Sequence, residues 1–185
     1  MAGVARRTLY GHFSSRHALV AALTQEAGQA LQQAFATARI PGAGPLEATA
    51  RMALAAWVVG DQYRMLISLG RRDLGDEAIR ATLAPARGEA TATVRRGLDE
   101  GVFADHVPAP VIALTLEALL LALAGENAAS TWADPAGAAA ATALLVVAGV
   151  APQVAALRVR EVLRGPKRHE RRSDVRRFAG SARRH

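Results

Sequence analysis

Two long stretches with almost no charge constrain the fold of this chain most strongly. Residues 111–124 contain one charged side chain, Glu117, and residues 136–150 contain none. Both consist mainly of alanine, leucine and valine. A helix that is apolar on every side has to be buried on more than one side. The two stretches therefore predict buried helices, which form either the core of one chain or a four-helix interface. We favour the interface, in a homodimer through helices 111–124 and 136–150.

The composition of the whole chain also predicts an all-α fold. Hydrophobic residues make up 51% of the sequence and aromatic residues 4%. Most of the other hydrophobic residues are alanine and leucine, which are good helix formers. Few segments show the alternating pattern of β-branched and polar residues that is typical of strands.

Further helices follow from apolar residues at helical spacing. The pattern predicts a helix over residues 16–38, with Ser14-Ser15 as its N-cap, and another that begins after Pro45. We expect an interruption at Gly60-Asp61. Residues 76–100 are predicted to be helical, with a kink or gap at Pro85 and Gly88.

The positive charge is concentrated at the C-terminal end. The net charge is +7, yet residues 1–149 carry 12 arginines against 13 acidic residues, so that part is close to neutral. Residues 165–185 are rich in arginine and poor in apolar residues, which predicts a basic disordered tail. Such a tail could add sequence-independent affinity for DNA, but a solvated extension is the simpler interpretation.

Several classes of protein are disfavoured by what the sequence lacks. It has no cysteine, its five histidines are scattered, and neither a Gly-x-Ser-x-Gly motif nor a phosphate-binding glycine loop occurs. We therefore predict that the protein is not an enzyme and uses no metal or cofactor. The N-terminus does not have the pattern of a signal peptide. Residues 135–157 are apolar enough to consider a membrane span, but their alanine and glycine content and Pro152 argue against one. A cytoplasmic protein without a membrane partner is expected.

The N-terminal residues 2–19 carry a motif, AGVARRTLYGHFSSRHAL. It resembles the signature of the tetracycline-repressor family of transcriptional regulators. In that family the corresponding segment contains the turn of a helix-turn-helix, the recognition helix and the start of the helix that leads to the ligand-binding domain. The alternative is an ordinary amphipathic helix followed by one with a serine cap.

The resemblance implies a partial helix-turn-helix over residues 1–20, followed by a helical ligand-binding and dimerisation domain over residues 21–164. It also implies roles for individual residues at a DNA surface. Base edges and nearby phosphates would be contacted by Arg6, Arg7 and Thr8, and the phosphate backbone by Tyr10, His12 and Arg16.

The family also has one whole helix and most of a second before this turn, whereas Met1 stands almost at the turn. We expect the chain as written to bind operator DNA poorly. A true start upstream is favoured, because the recognition helix keeps its contact residues. The alternative is a headless ligand-binding and dimerisation module that no longer binds DNA by itself.

If the resemblance holds, the middle helices form a pocket for a small, mainly apolar effector. The candidates to line it are Trp57, Gln62, Tyr63, Met65, Leu66, Leu83, Leu116 and Glu117. For Trp57 a place in the plain core is the more ordinary interpretation. A buried carboxylate needs a partner, so Glu117 predicts either an ion pair or a polar anchor in the pocket.

The sequence therefore favours a ligand-responsive, DNA-binding transcriptional regulator, and more specifically a repressor. Its partners would be operator DNA, a small apolar effector and a second copy of the chain. The headless module is the second hypothesis, and a small membrane-anchored protein is a third and weaker one.

Overall fold

The computed structural model describes residues 13–128 and 132–165 of the chain. Within these ranges the predicted all-α fold is confirmed, with seven helices and no strand. The helices are α1 (Arg16–Ala38), α2 (Pro45–Gln62), α3 (Arg64–Leu74), α4 (Asp76–Asp99), α5 (Ala109–Ala128), α6 (Ala138–Val147) and α7 (Pro152–Arg164). The predicted recognition helix and the predicted tail after residue 165 lie outside the described residues.

Helix α1 has the bounds that the sequence predicts. Ser15 is its N-cap, and the Oγ atom of this residue accepts a hydrogen bond from the backbone N–H of Ala18 at 3.1 Å. The helix ends before a turn in which Gly42 has a φ of 78°. Pro45 then occupies the first turn of α2, where its missing N–H is not needed. The serine cap thus sets the start of α1, and Pro45 sets the start of α2.

The expected interruption at Gly60-Asp61 is wrong, because α2 continues to Gln62 and the break falls at Tyr63. Gly60 is therefore an ordinary residue inside α2. A Cβ atom there would lie 3.6 Å from the Cβ of Ala124, so α2 and α5 approach closely at this point. The break comes where the backbone of Tyr63 leaves the helical region, at φ −103° and ψ 14°.

Helix α4 runs without a gap through Pro85, although the sequence suggested a possible gap there. A proline in a helix removes one hydrogen bond, to the carbonyl four residues earlier. Here that carbonyl belongs to Ala81, and both Ala81 and Pro85 are exposed. Water can therefore satisfy the freed carbonyl, and the buried face of the helix continues with Ala86.

The main core lies between α2, α4, α5, α6 and α7. Its most deeply buried large side chains are Trp57, Val94, Ile112, Leu145 and Val159. Helix α1 packs on the other side of α2 and also contacts α3 and α4. The two apolar stretches thus contribute to the core of the single chain, and α5 and α6 pack against each other.

The start of α6 differs from the predicted position 136, because the helix begins at Ala138. Asp134 determines this start: its side chain accepts hydrogen bonds from the N–H groups of Ala138 at 3.0 Å and Ala140 at 2.9 Å. Its backbone carbonyl accepts from Trp57 Nε1 at 2.8 Å. Gly137 has a φ of 70°, and a Cβ on it would lie 2.5 Å from Trp57 Cδ1. Glycine at position 137 therefore leaves the space that the indole ring of Trp57 occupies.

Helix α6 ends at Val147, and α7 begins separately at Pro152. The stretch 135–157 is accordingly divided between a loop, a ten-residue helix and the start of another helix. Among the helices that the structure describes, none has the length and apolar character needed to cross a membrane.

Replacing Asp134 with alanine should lower the free energy of unfolding by about 1–2 kcal/mol, because the first N–H groups of α6 lose their acceptor. Denaturant unfolding followed by tryptophan fluorescence measures this change, since Trp57 and Trp132 both lie beside the loop. Asp105→Ala, at an exposed loop position, is the control and should unfold like the wild type. Equal stability of Asp134→Ala and wild type would contradict the capping role.

Candidate ligand-binding cavity

An almost entirely apolar cavity of about 160 Å³ lies between α1, α2, α3, α4 and α5. It adjoins the main core, because Val94 of α4, Leu116 of α5 and Leu144 of α6 belong to both. Each of the five helices contributes to its wall. The long side chains that line it include Leu31, Phe35, Met52, Leu66, Ile67, Ile79, Leu83, Leu116, Leu120 and Leu121.

The cavity exists because many residues that face it are small. Alanine or glycine occupies the lining positions 27, 28, 53, 56, 60, 86, 90 and 113. At Gly28 an added Cβ would lie 2.6 Å from Cγ2 of Thr82, so glycine lets α1 and α4 approach closely. Where the facing side chains are short, they do not fill the space between the helices, and an apolar void remains.

Of the residues predicted to line a pocket, the structure brings together Tyr63, Leu66, Leu83, Leu116 and Glu117. The remaining three do not line the cavity. Trp57 is 1% exposed and packs in the core with its Nε1 bonded to Asp134. Gln62 is exposed, and Met65 is 73% exposed. The short helix α3 directs Leu66 and Ile67 inward, which leaves Met65 on its outer side.

Sequence reasoning did not assign the cavity wall on α1. Leu31 and Phe35 lie on the apolar stripe of α1, and nothing in such a stripe distinguishes the wall of a cavity from ordinary core. The small residues and the threonines at positions 24, 49, 82 and 93 were missed as well. These residues can be recognised as part of a cavity wall only when it is known which helices are neighbours. The spacing of apolar residues along one helix does not show this.

The charged groups of the cavity form one closed ion pair. Arg87 Nε donates to Glu117 Oε2 at 2.8 Å, and Arg87 Nη2 donates to Glu117 Oε1 at 2.9 Å. Nη2 also donates to the carbonyl of Arg80 at 3.1 Å. The side chains are 22% and 16% exposed, respectively. Glu117 thus has the partner that its apolar helix required, and the pair joins α4 to α5 without adding net charge.

The phenol of Tyr63 forms a polar contact at another part of the wall. Its hydroxyl donates to Glu26 Oε1 at 3.3 Å, which connects the end of α2 to α1. Burial raises the pKa of Tyr63 above its usual range, and the charge of Glu26 and this hydrogen bond raise the pKa further. The phenol therefore stays protonated at neutral pH.

The predicted DNA contacts are mostly outside the described residues, which is the case for Arg6, Arg7, Thr8, Tyr10 and His12. Arg16 is described, and its Nε donates to Asp73 Oδ2 at 2.9 Å at the end of α3. The next residue, His17, donates from Nδ1 to the carbonyl of Asp73 at 3.1 Å. Hydrogen bonding to Arg16 holds the pKa of Asp73 below its usual range. The start of α1 is thereby attached to the end of α3.

Comparison of the chain with protein-family models, with curated proteins and with solved structures found no match. A functional assignment therefore depends on the residues and contacts described above.

Arg87→Met should destabilise the protein by about 1–3 kcal/mol, because Glu117 remains as an unpaired carboxylate in an apolar wall. The double variant Arg87→Met/Glu117→Leu should recover most of this loss, since it removes both charges. Urea unfolding of the two single variants and the double variant measures the coupling.

Arg80→Met is the matched control for this cycle. Arg80 is on the same helix and is 60% exposed, and its ion pair with Glu77 is at the surface. The control should change stability by less than about 1 kcal/mol. A double variant that is as unstable as Arg87→Met would contradict the view that the lone carboxylate causes the loss.

Proposed function

We propose that the protein is a cytoplasmic, ligand-responsive transcriptional regulator, similar to the tetracycline repressors, which binds operator DNA and acts as a repressor. Its effector would be a small apolar molecule that enters the cavity between α1 and α5. Three features support the proposal: the motif over residues 2–19, the helical architecture, and the apolar cavity.

The observation that carries the proposal is the position of α1. This helix begins at Arg16, inside the segment that resembles the family signature, and it then lines the cavity. The lining positions on α1 are Thr24, Ala27, Gly28, Leu31 and Phe35. One continuous helix thus leads from the candidate DNA-binding segment to the candidate effector site.

The contacts at the start of α1 give a physical route for a response. Arg16 and His17 attach the start of the helix to Asp73 at the end of α3. Helix α3 also contributes Leu66 and Ile67 to the cavity. A ligand that binds one arrangement of α1 and α3 better than another shifts the population toward that arrangement. The segment before α1 would then change its position, and with it the spacing of two recognition helices in a dimer.

The proposed dimer would form through α5 and α6. Both helices bury one side in the core and leave an apolar stripe on the other side. On α5 the exposed stripe includes Val111, Leu114, Ala118 and Ala122, and on α6 it includes Ala139 and Val146. Positions three and four apart share one face of a helix, and α5 and α6 are neighbours, so the proposed interface would use both stripes. A second copy would bury it as a four-helix interface.

The proposal is tested with protein purified from its own cells, which is mixed with fragmented genomic DNA. The captured fragments should share a palindromic sequence with half-sites about one or more DNA turns apart. Arg7→Ala should weaken binding to that sequence about tenfold or more, because a contact to a base edge or phosphate is lost. Fluorescence anisotropy on a labelled duplex measures the affinity.

Arg39→Ala is the control for the DNA experiment. Arg39 is 65% exposed at the far end of α1, where it pairs with Glu89, so its loss should leave DNA affinity unchanged. Full affinity in Arg7→Ala would contradict the assigned contact. Absence of any sequence-specific complex would contradict the regulator itself and favour a ligand-binding module that does not bind DNA.

Leu114→Glu should convert the dimer into a monomer, because two carboxylates would be placed in an apolar interface. Leu114 is 47% exposed in the single chain, so the monomer should remain folded. Sedimentation velocity measures the mass, and circular dichroism checks the helix content. Met65→Glu, at an exposed position on α3, is the control and should stay dimeric. A monomeric wild type would contradict the proposed interface.

A further inference from the structure

Asp73, at the end of α3, is shared by two arginines that belong to different helices. Nε of Arg16, the first residue of α1, donates to Oδ2 of Asp73 at 2.9 Å. Nε of Arg72, on α3, donates to Oδ1 of the same carboxylate at 3.3 Å. The three residues, which we call the Asp73 cluster, therefore combine two positive charges with one negative charge. The cluster has an excess of one positive charge.

The carboxylate of the Asp73 cluster is less exposed than the two guanidinium groups. The side chain of Asp73 is 16% exposed, whereas those of Arg16 and Arg72 are 60% and 67% exposed. Within the described part of the chain, each of the two arginines uses only its Nε for a side-chain hydrogen bond. No described protein group thus binds their terminal nitrogens, Nη1 and Nη2.

This arrangement leaves hydrogen-bond donors for a further anion. A guanidinium is planar and carries five N–H donors in a fixed geometry, so one arginine can bind a carboxylate through Nε and another acceptor through its terminal nitrogens. Phosphate suits such donors, because several of its oxygens can accept charge-assisted hydrogen bonds. The excess positive charge of the cluster favours the same kind of ligand.

Other ion pairs in the described residues are balanced in charge. At the far end of α1, Arg39 and Glu89 pair one to one. Glu47 also has two arginine partners, but one of these arginines binds Glu161 as well. The two arginines of the Asp73 cluster have no second acid of this kind among the described ion pairs. An ordinary surface ion pair therefore does not account for the cluster.

The cluster lies where the candidate DNA-binding segment joins the rest of the chain. Arg16 belongs to the motif over residues 2–19, and the resemblance gives it a contact with the phosphate backbone. Nδ1 of His17 is 3.1 Å from the carbonyl oxygen of Asp73, which attaches the start of α1 to the end of α3. Arg72 has no role in the motif, yet its guanidinium is held beside the same carboxylate as that of Arg16.

We propose that Arg16 and Arg72 together bind a phosphate of the DNA backbone through their terminal nitrogens, and that Asp73 is the positioning residue that holds the two guanidinium groups. The inference rests on the proposed function, because it takes the DNA bound by the neighbouring motif as the source of the phosphate. It adds a DNA contact from α3, a helix that also lines the cavity. A displacement of α3 by an effector would then act on DNA binding directly.

The first test measures the DNA affinity of the full chain by fluorescence anisotropy at several concentrations of potassium chloride. The labelled duplexes are the captured palindromic sequence and a random sequence of equal length. Arg72→Gln should bind both duplexes about fivefold more weakly, because a phosphate contact carries no sequence information. The plot of log affinity against log salt concentration should become flatter by roughly one, since one cationic contact is lost.

Arg39→Gln is the matched control for this test. It removes the same charge from an arginine that is 65% exposed at the other end of α1, so affinity and salt dependence should stay unchanged. Every variant keeps the arginines of residues 165–185, so their contribution to the affinity is the same throughout. Equal affinity of Arg72→Gln and wild type for both duplexes would overturn the contact, even if the palindromic complex supports the proposed function.

The second test concerns Asp73. Asp73→Asn should weaken DNA binding about threefold, because the guanidinium groups lose their common ionic partner, although loss of a negative charge alone favours DNA. Glu89→Gln removes the same charge at the far end of α1 and should leave the affinity unchanged. Stronger binding in Asp73→Asn would show that the carboxylate competes with the phosphate, and the positioning role would be wrong.

A purely structural role of Asp73 is tested in a chain that already carries Arg16→Gln and Arg72→Gln. There Asp73→Asn should cause no further loss of affinity, because Asp73 acts through the two arginines. A loss that persists in this chain would overturn the positioning role. Circular dichroism checks that each variant is folded.

The remaining outcomes distinguish the source of the phosphate and the proposed function. If binding to the random duplex depends on Arg72 but no sequence-specific duplex is found, the proposed regulator fails and the contact with DNA phosphate stands. Inorganic phosphate should not change the melting temperature of the wild type. If it raises that temperature in the wild type but not in Arg72→Gln, and duplex affinity does not depend on Arg72, the cluster binds free phosphate and the assignment to DNA is overturned.

Discussion

The close approach of helices at small residues is the constraint on which the rest of this structure depends. Glycines 28 and 137 face Thr82 and Trp57, respectively, at distances that leave no room for a larger side chain. Alanine continues this pattern along α5 and α6. Contacts between such small residues let helices pack closely in a chain that has few aromatic residues. They also leave too little side-chain volume to fill the space between α1, α4 and α5, and the cavity follows from that shortage.

An unfilled cavity in this position is energetically significant. A closed void costs about 24 cal/mol per Å³, because the side chains around it lose packing contacts. The cavity here has a volume of about 160 Å³ and is partly open to solvent, so its cost is smaller than that of a closed void of the same volume. The whole stability of an ordinary domain is about 5–15 kcal/mol. A ligand that binds the folded state returns part of this free energy by mass action. If the cavity binds a ligand as proposed, the stability of the protein should therefore rise with the concentration of that ligand.

The sequence predicted well those features that are determined within one helix. The bounds of α1 follow from Ser15 and the glycine-proline turn after the helix. Features that depend on neighbouring helices were missed. The pair Gly60-Asp61 resembles a break, yet α2 continues through both residues to Gln62. The outward direction of Met65 likewise depends on how α3 packs against its neighbours.

The arrangement of α1 explains how a cavity and a distant segment could influence each other without a flexible connection. A helix transmits a displacement over its length because its hydrogen bonds make it stiff, and α1 has 23 residues. Its start is attached to α3 at Asp73, its middle lines the cavity, and its end pairs with α4 through Arg39 and Glu89. Coupling between two sites requires that the ligand prefer one of two arrangements, since equal affinity for both shifts nothing. Under the proposed function, a molecule that fits the existing distance between α1 and α4 near Gly28 would favour this arrangement, whereas a molecule that separates the two helices would favour another.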